Sequence, residues 1–497
     1  MVTEASREAF IEEQMTKEYS CEFTFGWLSA EAKTEAYNQA NRDSYHEKQT
    51  KMFLELNPHV GKRFQQNDTK ERENNLEEEE NEDHELQVKK ENKMFQMSRK
   101  SLGLAHHNYE IKEELKETKQ EDEVMFGPMK ISGKHKSFKE TKKQFFKQAD
   151  EERKKNLYKH TCYDGCKKRG CQRISTFDGL WKINHPICMW DNRTVYPASV
   201  TDFVPQVCPS EPEFGSAFCE IHARVVERLK KPSKLRPFLK SCGTDGVKVN
   251  KEDKSKIDSV LKEMALSTKN EGQTVGMEQG TEYMLRNKKI MTSRKLTLDK
   301  VEECRKDVGE NVRLRRYTRG ILAACSGGGH IWSFDALYKS EGPLQVSLLM
   351  IKYLMKRLAE TDPKLWNKHF INYDNICNVN RLKLLQGLLD LPEPFSSIWN
   401  DVGKVIDPLH IKNHKNPDCH EKYNPNIIKS EIPDANLMVC EQTFSWLGKF
   451  KKILNSMPKY TQLFLLHRLV KRRNEYTQYC YSIGTRPMLP SVKAAKV

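Results

Sequence analysis

The stretch DPLHIKNHKNPDC, residues 407–419, holds Asp407, His410, His414 and Cys419 within a short span. All four side chains are metal donors, and the Cys and His among them favour zinc over magnesium. If IKNH is helical, His410 and His414 share one face. Four protein ligands close a tetrahedron and leave no position for a reacting group. The stretch therefore predicts a structural zinc or a hydrogen-bonded clamp, against the plainer alternative of an exposed polar loop.

A second donor-rich region precedes it. Of the 14 cysteines, only Cys21 comes before residue 162, and Cys162, Cys166, Cys171, Cys188, Cys208 and Cys219 fall between 162 and 219. The amino terminus lacks the basic-then-apolar pattern of a secretory leader, so these thiols are expected to be mostly reduced. Clustering near His then points to zinc more than to disulfides. Cys219-x-x-His222 has ligand spacing, Cys208 supplies a third donor, and Cys188 or Cys171 the fourth. Buried free thiols are the alternative.

Three acids suggest a reaction. Asp178 closes the strand-like run RISTFD, Asp374 closes KHFINYD, and Glu441 lies early in a helical stretch. Carboxylates at the carboxyl ends of neighbouring strands can converge at one sheet edge. Held close, they repel unless a cation joins them, and hard oxygen donors suit Mg²⁺ or Mn²⁺. Two such ions about 4 Å apart serve phosphodiester chemistry. Glu431 and Asp434 are rivals to Glu441.

The elements that must position these residues are legible in outline. Charged residues make up 31% of the 497-residue chain and apolar residues 37%, so part of the chain is expected to lie outside any core. Residues 1–155 are charged and predict a mostly disordered or isolated-helix region; FTFGWLSAEAKTEAYNQANRDSYHEKQTKMFLEL is a helix candidate with Ser29 as its cap. RGILAACSGGGHIWSFDALY predicts two strands around a Gly-rich turn, and LQVSLLMIKYLMKRLAE a buried helix. ANLMVCEQTFSWLGKFKKILNSM sets Cys440, Phe444, Leu447 and Leu454 on roughly one helical face, and KYTQLFLLHRLVKRRNEYTQY reads as a final basic amphipathic helix. Strands, helix, strand, insertion and helix together indicate an α/β fold. No apolar run reaches the roughly 18 residues a membrane helix needs.

The net charge of +15 favours a polyanionic partner, nucleic acid first. Arg313, Arg315, Arg316 and Arg319, beside Tyr317, and Lys471, Arg472 and Arg473 are the candidate phosphate contacts. No base-reading module is visible, so backbone contact to DNA is the expectation.

TFDGLWKINHPICMWD, RGILAACSGGGHIWSFDALYKSEGPLQV, INYDNICN, DPLHIKNHKNPDC and VCEQTFSWLGKF occur in an order that resembles DNA transposases of the KDZ (Kyakuja–Dileera–Zisupton) group. The resemblance spans about residues 160–480. It implies a ribonuclease-H-like core in two parts, 156–230 and 316–480, split by a basic helical insertion at 231–315 and followed by a tail at 481–497. It implies Asp178, Asp374 and Glu441 as catalytic ligands of two Mg²⁺ or Mn²⁺ ions, structural Zn²⁺, DNA cleavage and strand transfer, and a nuclear location; a homo-oligomer is compatible with it, and the oligomeric state is left open. ANLMVCEQ stands where the family often carries an acidic-Gly-Glu run, so Glu441 matches less well than Asp374. No terminal DNA-binding finger is recognisable, which leaves a truncated or recruited, catalytically inactive derivative as the alternative.

Overall fold

The computed structural model describes residues 2–4, 10–12, 99–118, 130–131, 134–135, 138–190, 207–244, 250–269, 316–338, 341–382 and 391–487. The candidate helix capped by Ser29, together with Arg313 and Arg315, lies outside them. The chain divides into two units, residues 1–129 and 130–497. In the first, the described elements are an antiparallel pair, Val2–Glu4 with Phe10–Glu12, and a helix, Arg99–Thr118.

The second unit is mixed α/β. Its sheet contains β1 (Ile174–Leu180), β2 (Gly320–Ser326), β3 (Ile331–Leu337), β4 (Phe370–Asn372) and β5 (Gly403–Val405), in the order β3-β2-β1-β4-β5. β1, β2 and β3 are mutually antiparallel, whereas β4 runs parallel to β1, and β5 to β4. β2 is buried at all seven positions, which accounts for its continuous small-apolar run, GILAACS.

Helix α1 (Phe138–Lys155) packs on the long helix α7 (Lys459–Ser482), with Phe146 stacked on Phe464 at 4.5 Å between ring centres. Arg153 of α1 pairs with Asp150 and donates to the Phe334 carbonyl of β3. The folded body thus begins before the change in sequence texture near residue 155. α7 is not a surface amphipathic helix: residues 462–470 are buried without interruption, so its apolar residues face neighbours on all sides.

The segment between β1 and β2 holds α2 (Glu220–Arg228), α3 (Leu235–Ser241) and α4 (Lys251–Lys269). Val226, Phe238 and Leu261 share one apolar cluster with Cys188, Cys208 and Cys219. The helices beyond residue 230 pack into the same core as the cysteines. α5 (Pro343–Arg357) opens on a proline and buries eight residues between Leu344 and Leu354, all but Ser347 in the main apolar core. α6 (Val439–Leu447) is followed by a 3₁₀ turn and a separate short helix, so Leu454 lies on a different element from Cys440. No described helix is long and apolar enough to cross a membrane.

Candidate active site

The register of the parallel pair brings two acids together. Thr176 of β1 lies opposite Asn372 of β4, and the Asn372 amide donates to Thr176 Oγ1 at 3.3 Å, so these side chains share a face. Two residues further along each strand direction the chain reaches Asp178 and Asp374. Strand periodicity returns Asp178 to that face, and Asp374 brings a carboxylate oxygen within 4.8 Å of it. β1 continues through Gly179 and Leu180, so Asp178 sits inside the strand, paired with Ala323, while Asp374 lies just past the end of β4.

A third carboxylate joins them that sequence reading did not identify. Glu341, immediately before α5, places an oxygen within 4.8 Å of one from each of Asp178 and Asp374. It is pinned by Trp181 Nε1, which donates to Oε2 at 2.6 Å, and by the Tyr373 hydroxyl, which donates to Oε1 at 2.9 Å. A Cβ on Gly179 would come within 2.2 Å of Glu341 Oε2. The glycine of the Asp-Gly step leaves room for the third acid. Burial, then the charges of Asp374, Glu341 and Glu441, hold Asp178 well above the usual carboxylate range.

Glu441 arrives on α6. Asn372 Nδ2 donates to the Leu437 carbonyl at 2.7 Å, and the Cys440 thiol donates to the Thr176 carbonyl at 3.2 Å. Both contacts fix the start of α6 to the strands that carry the aspartates. Glu441 groups most closely with Asp407 and His410: His410 Nδ1 is 2.6 Å from Asp407 Oδ2 and 3.6 Å from Glu441 Oε1. Burial first, then Asp407 and Asp374, push the Glu441 acid up to about 7. Its Oε2 is buried with no hydrogen-bond partner. The rivals lie elsewhere: Glu431 pairs with Arg173, and Asp434 is exposed.

The DPLHIKNHKNPDC stretch does not form one four-ligand site. Its centre is a 3₁₀ turn, Ile411–Asn413, and the two histidines diverge. Asp407 and His410 face Glu441, while His414 and Cys419 meet Cys377.

Two further clusters each gather four donors. Cys188 Sγ and Cys219 Sγ lie 3.5 and 3.2 Å from His222 Nδ1, and Cys208 Sγ is 4.0 Å from Cys219 Sγ. Cys171 is not in this group; it joins His160, Cys162 and Cys166, with His160 Nε2 at 3.1 Å from Cys171 Sγ. Across a tetrahedral zinc with bonds of about 2.3 Å to sulfur and 2.05 Å to nitrogen, S···N edges are about 3.6 Å and S···S edges about 3.8 Å. The S···N and S···S separations of 3.1 to 4.0 Å lie on either side of those values, so each cluster can hold a zinc ion with Cys₃His ligands. His160 is the donor sequence reading left out, although it stands two residues before Cys162. A Cβ on Gly328, in the β2–β3 turn, would come within 2.5 Å of Cys166 Sγ, so the Gly-rich turn lets the cysteine knuckle pack against the sheet.

Of the described basic candidates, Arg319 lies over the Trp181 ring at 4.3 Å and Arg316 over Tyr317 at 5.6 Å. Lys471 and Arg472 are half-buried on α7, and Arg472 pairs with Glu475. Arg473 is buried beside the rings of Trp446 and Tyr476, which removes it from any surface a DNA backbone would meet.

The chain matches no family model, no curated protein and no solved structure in the comparisons made with each.

Proposed function

We propose that the second unit is a ribonuclease-H-like nuclease and strand transferase of the KDZ transposase type, acting on DNA in the nucleus. The observation that carries this reading is the meeting of Asp178, Glu341 and Asp374 at one sheet edge, with Glu441 docked beside them. The strand order β3-β2-β1-β4-β5, three antiparallel and two parallel, supports the fold assignment.

The residues fit a divalent cation. The acid oxygens converge, Asp178 resists ionisation beside its neighbours, and Glu441 keeps a buried oxygen without a donor. Mg²⁺ or Mn²⁺ bound there supplies an activated attacking oxygen and stabilises the leaving one. Asp178, Asp374 and Glu341 would hold the cations, with Glu341 oriented by Trp181 and Tyr373. Glu441, near the middle of its titration at neutral pH, would complete the set or exchange a proton with His410. Asp407 holds His410 through Nδ1, fixing the ring's direction. Arg316, Arg319 and Lys471 supply positive charge for backbone contact.

An inactive, DNA-binding zinc protein is the second reading, favoured by one observation: Glu441 lies with Asp407 and His410 rather than in the tightest group of acids. A cleavage assay with Mn²⁺ on duplex DNA separates the two. Asp374→Asn should abolish cleavage and leave DNA binding within about two-fold. Cleavage that survives the change removes the nuclease reading, and absence of cleavage in the parent chain with binding intact selects the second.

A further inference from the structure

We propose that Cys377, His414 and Cys419 form a third zinc site, whose histidine fixes the backbone that carries Asp374. The zinc-binding part stands alone; the positioning part rests on the acid-site reading above. Three separate segments converge here. Cys377 lies on the short helix Ile376–Asn380, one turn beyond Asp374. His414 ends the 3₁₀ turn, and Cys419 lies on the helix Pro417–Lys422. Both sulfurs are fully buried, and the three donor atoms lie within 4.8 Å of one another. Cys377 Sγ is 3.6 Å from His414 Nδ1, which matches the S···N edge of about 3.6 Å across tetrahedral zinc.

The decisive contact is on the other side of the ring. His414 Nε2 lies 3.0 Å from the Asp374 carbonyl oxygen. A carbonyl only accepts, so Nε2 carries the hydrogen, and Nδ1 is left with a lone pair directed at Cys377. Metal-bound histidines commonly have this arrangement, with the second ring nitrogen donating to a backbone carbonyl. A thiol-to-imidazole hydrogen bond would explain one sulfur at Nδ1. It accounts for Cys377 alone, whereas Cys419, arriving on another helix, brings a second fully buried sulfur within 4.8 Å of the same donors. Among the described residues the cluster has three protein donors, so water would complete the tetrahedron. The site would thus tie the chain after β4 to the loop after β5, with Asp374 held between them.

Native mass spectrometry of the full chain, expressed with zinc, counts the metal directly. Three zinc ions per chain are expected: two in the Cys₃His clusters and one here. Cys419→Ser should lower the count by one, whereas His414→Cys, which keeps a ligand but loses the bond to Asp374, should keep all three. A parent count of two or fewer, or an unchanged count in folded Cys419→Ser, overturns the site; should Cys419→Ser fail to fold, the parent count decides. Mn²⁺ affinity then tests positioning. His414→Cys should weaken Mn²⁺ binding about ten-fold at full zinc content, and unaltered affinity removes the positioning role. Failure of the parent chain to bind Mn²⁺ would instead refute the acid-site reading while leaving the zinc count standing.

Discussion

Glu441 titrates near 4.5 in the unfolded chain and near 7 in the fold, where burial and the neighbouring Asp407 and Asp374 disfavour its charge. The folded chain therefore binds more protons across that window than the unfolded chain does. The sign follows: the contribution is fully present below about pH 4.5 and is lost as pH rises to about 7. Asp178, also raised, acts in the same direction. For the cation-free protein, urea melts should show stability falling between pH 5 and pH 8, with Glu441 accounting for a loss on the order of 3 kcal/mol. Glu441→Gln should flatten that part of the slope, and Mn²⁺ should stabilise the parent chain more at pH 8 than at pH 5. A flat profile would show that the acids are not forced together. Gly179 gives a second test at this scale. Its missing Cβ makes room for a carboxylate already held by Trp181 and Tyr373, so the obstruction is not the loose end of a flexible chain. Gly179→Ala should lower stability by about 1–3 kcal/mol and weaken Mn²⁺ binding, measured by melts and calorimetry.

The sheet and α6 work as one positioning unit. Asn372 is fully buried and links three elements: its own strand, Thr176 of β1 and the Leu437 carbonyl before α6. Asn372→Ala leaves that buried carbonyl without its donor, at a cost of about 1–3 kcal/mol. It also frees the segment that brings Glu441 to the aspartates. The expected result is a lower melting temperature together with a Glu441 titration displaced toward ordinary values, followed by carboxyl NMR. The same unit shows what the sequence could reveal. Alternation in RISTFDGL, the β2–β3 pair around SGGG, the apolar spacing of LQVSLLMIKYL and the short run KHFINYD announced their elements, and the first and last of these brought Asp178 and Asp374 with them. Glu341 was not legible, because nothing in KSEGPL marks it as facing a strand two elements away; only the clearance above Gly179 does so. The splitting of His410 from His414 was likewise hidden. Their spacing of four suits a helical face, but the 3₁₀ turn between them rotates one toward Glu441 and the other toward Cys377.

Across the second unit, the cysteine clusters and the acids are parts of one construction. The His160–Cys171 knuckle leads into β1 and packs on the β2–β3 turn, while the Cys188–His222 cluster follows β1 and organises the inserted helices. β1 carries Asp178 between them, so metal-free clusters would loosen the strand at both ends. The net charge of +15 belongs to the chain as a whole, and it bears on partners rather than on the fold. If DNA is the partner, binding should release counterions as Arg316, Arg319, Lys471 and other surface cations neutralise phosphates. With about six such contacts, log Kobs should fall with log salt at a slope of about −5, and affinity should drop about a thousand-fold between 50 and 200 mM. Arg316→Ala with Lys471→Ala should reduce the slope by about two while the zinc content stays at the parental value. Arg473→Ala should leave the slope unchanged and lower stability instead, since its guanidinium packs against Trp446 and Tyr476. Fluorescence anisotropy on a labelled duplex over a salt series reads all three. A salt-independent affinity would mean that the basic surface does not meet phosphate, and would leave a zinc-stabilised interaction protein as the better account of the chain.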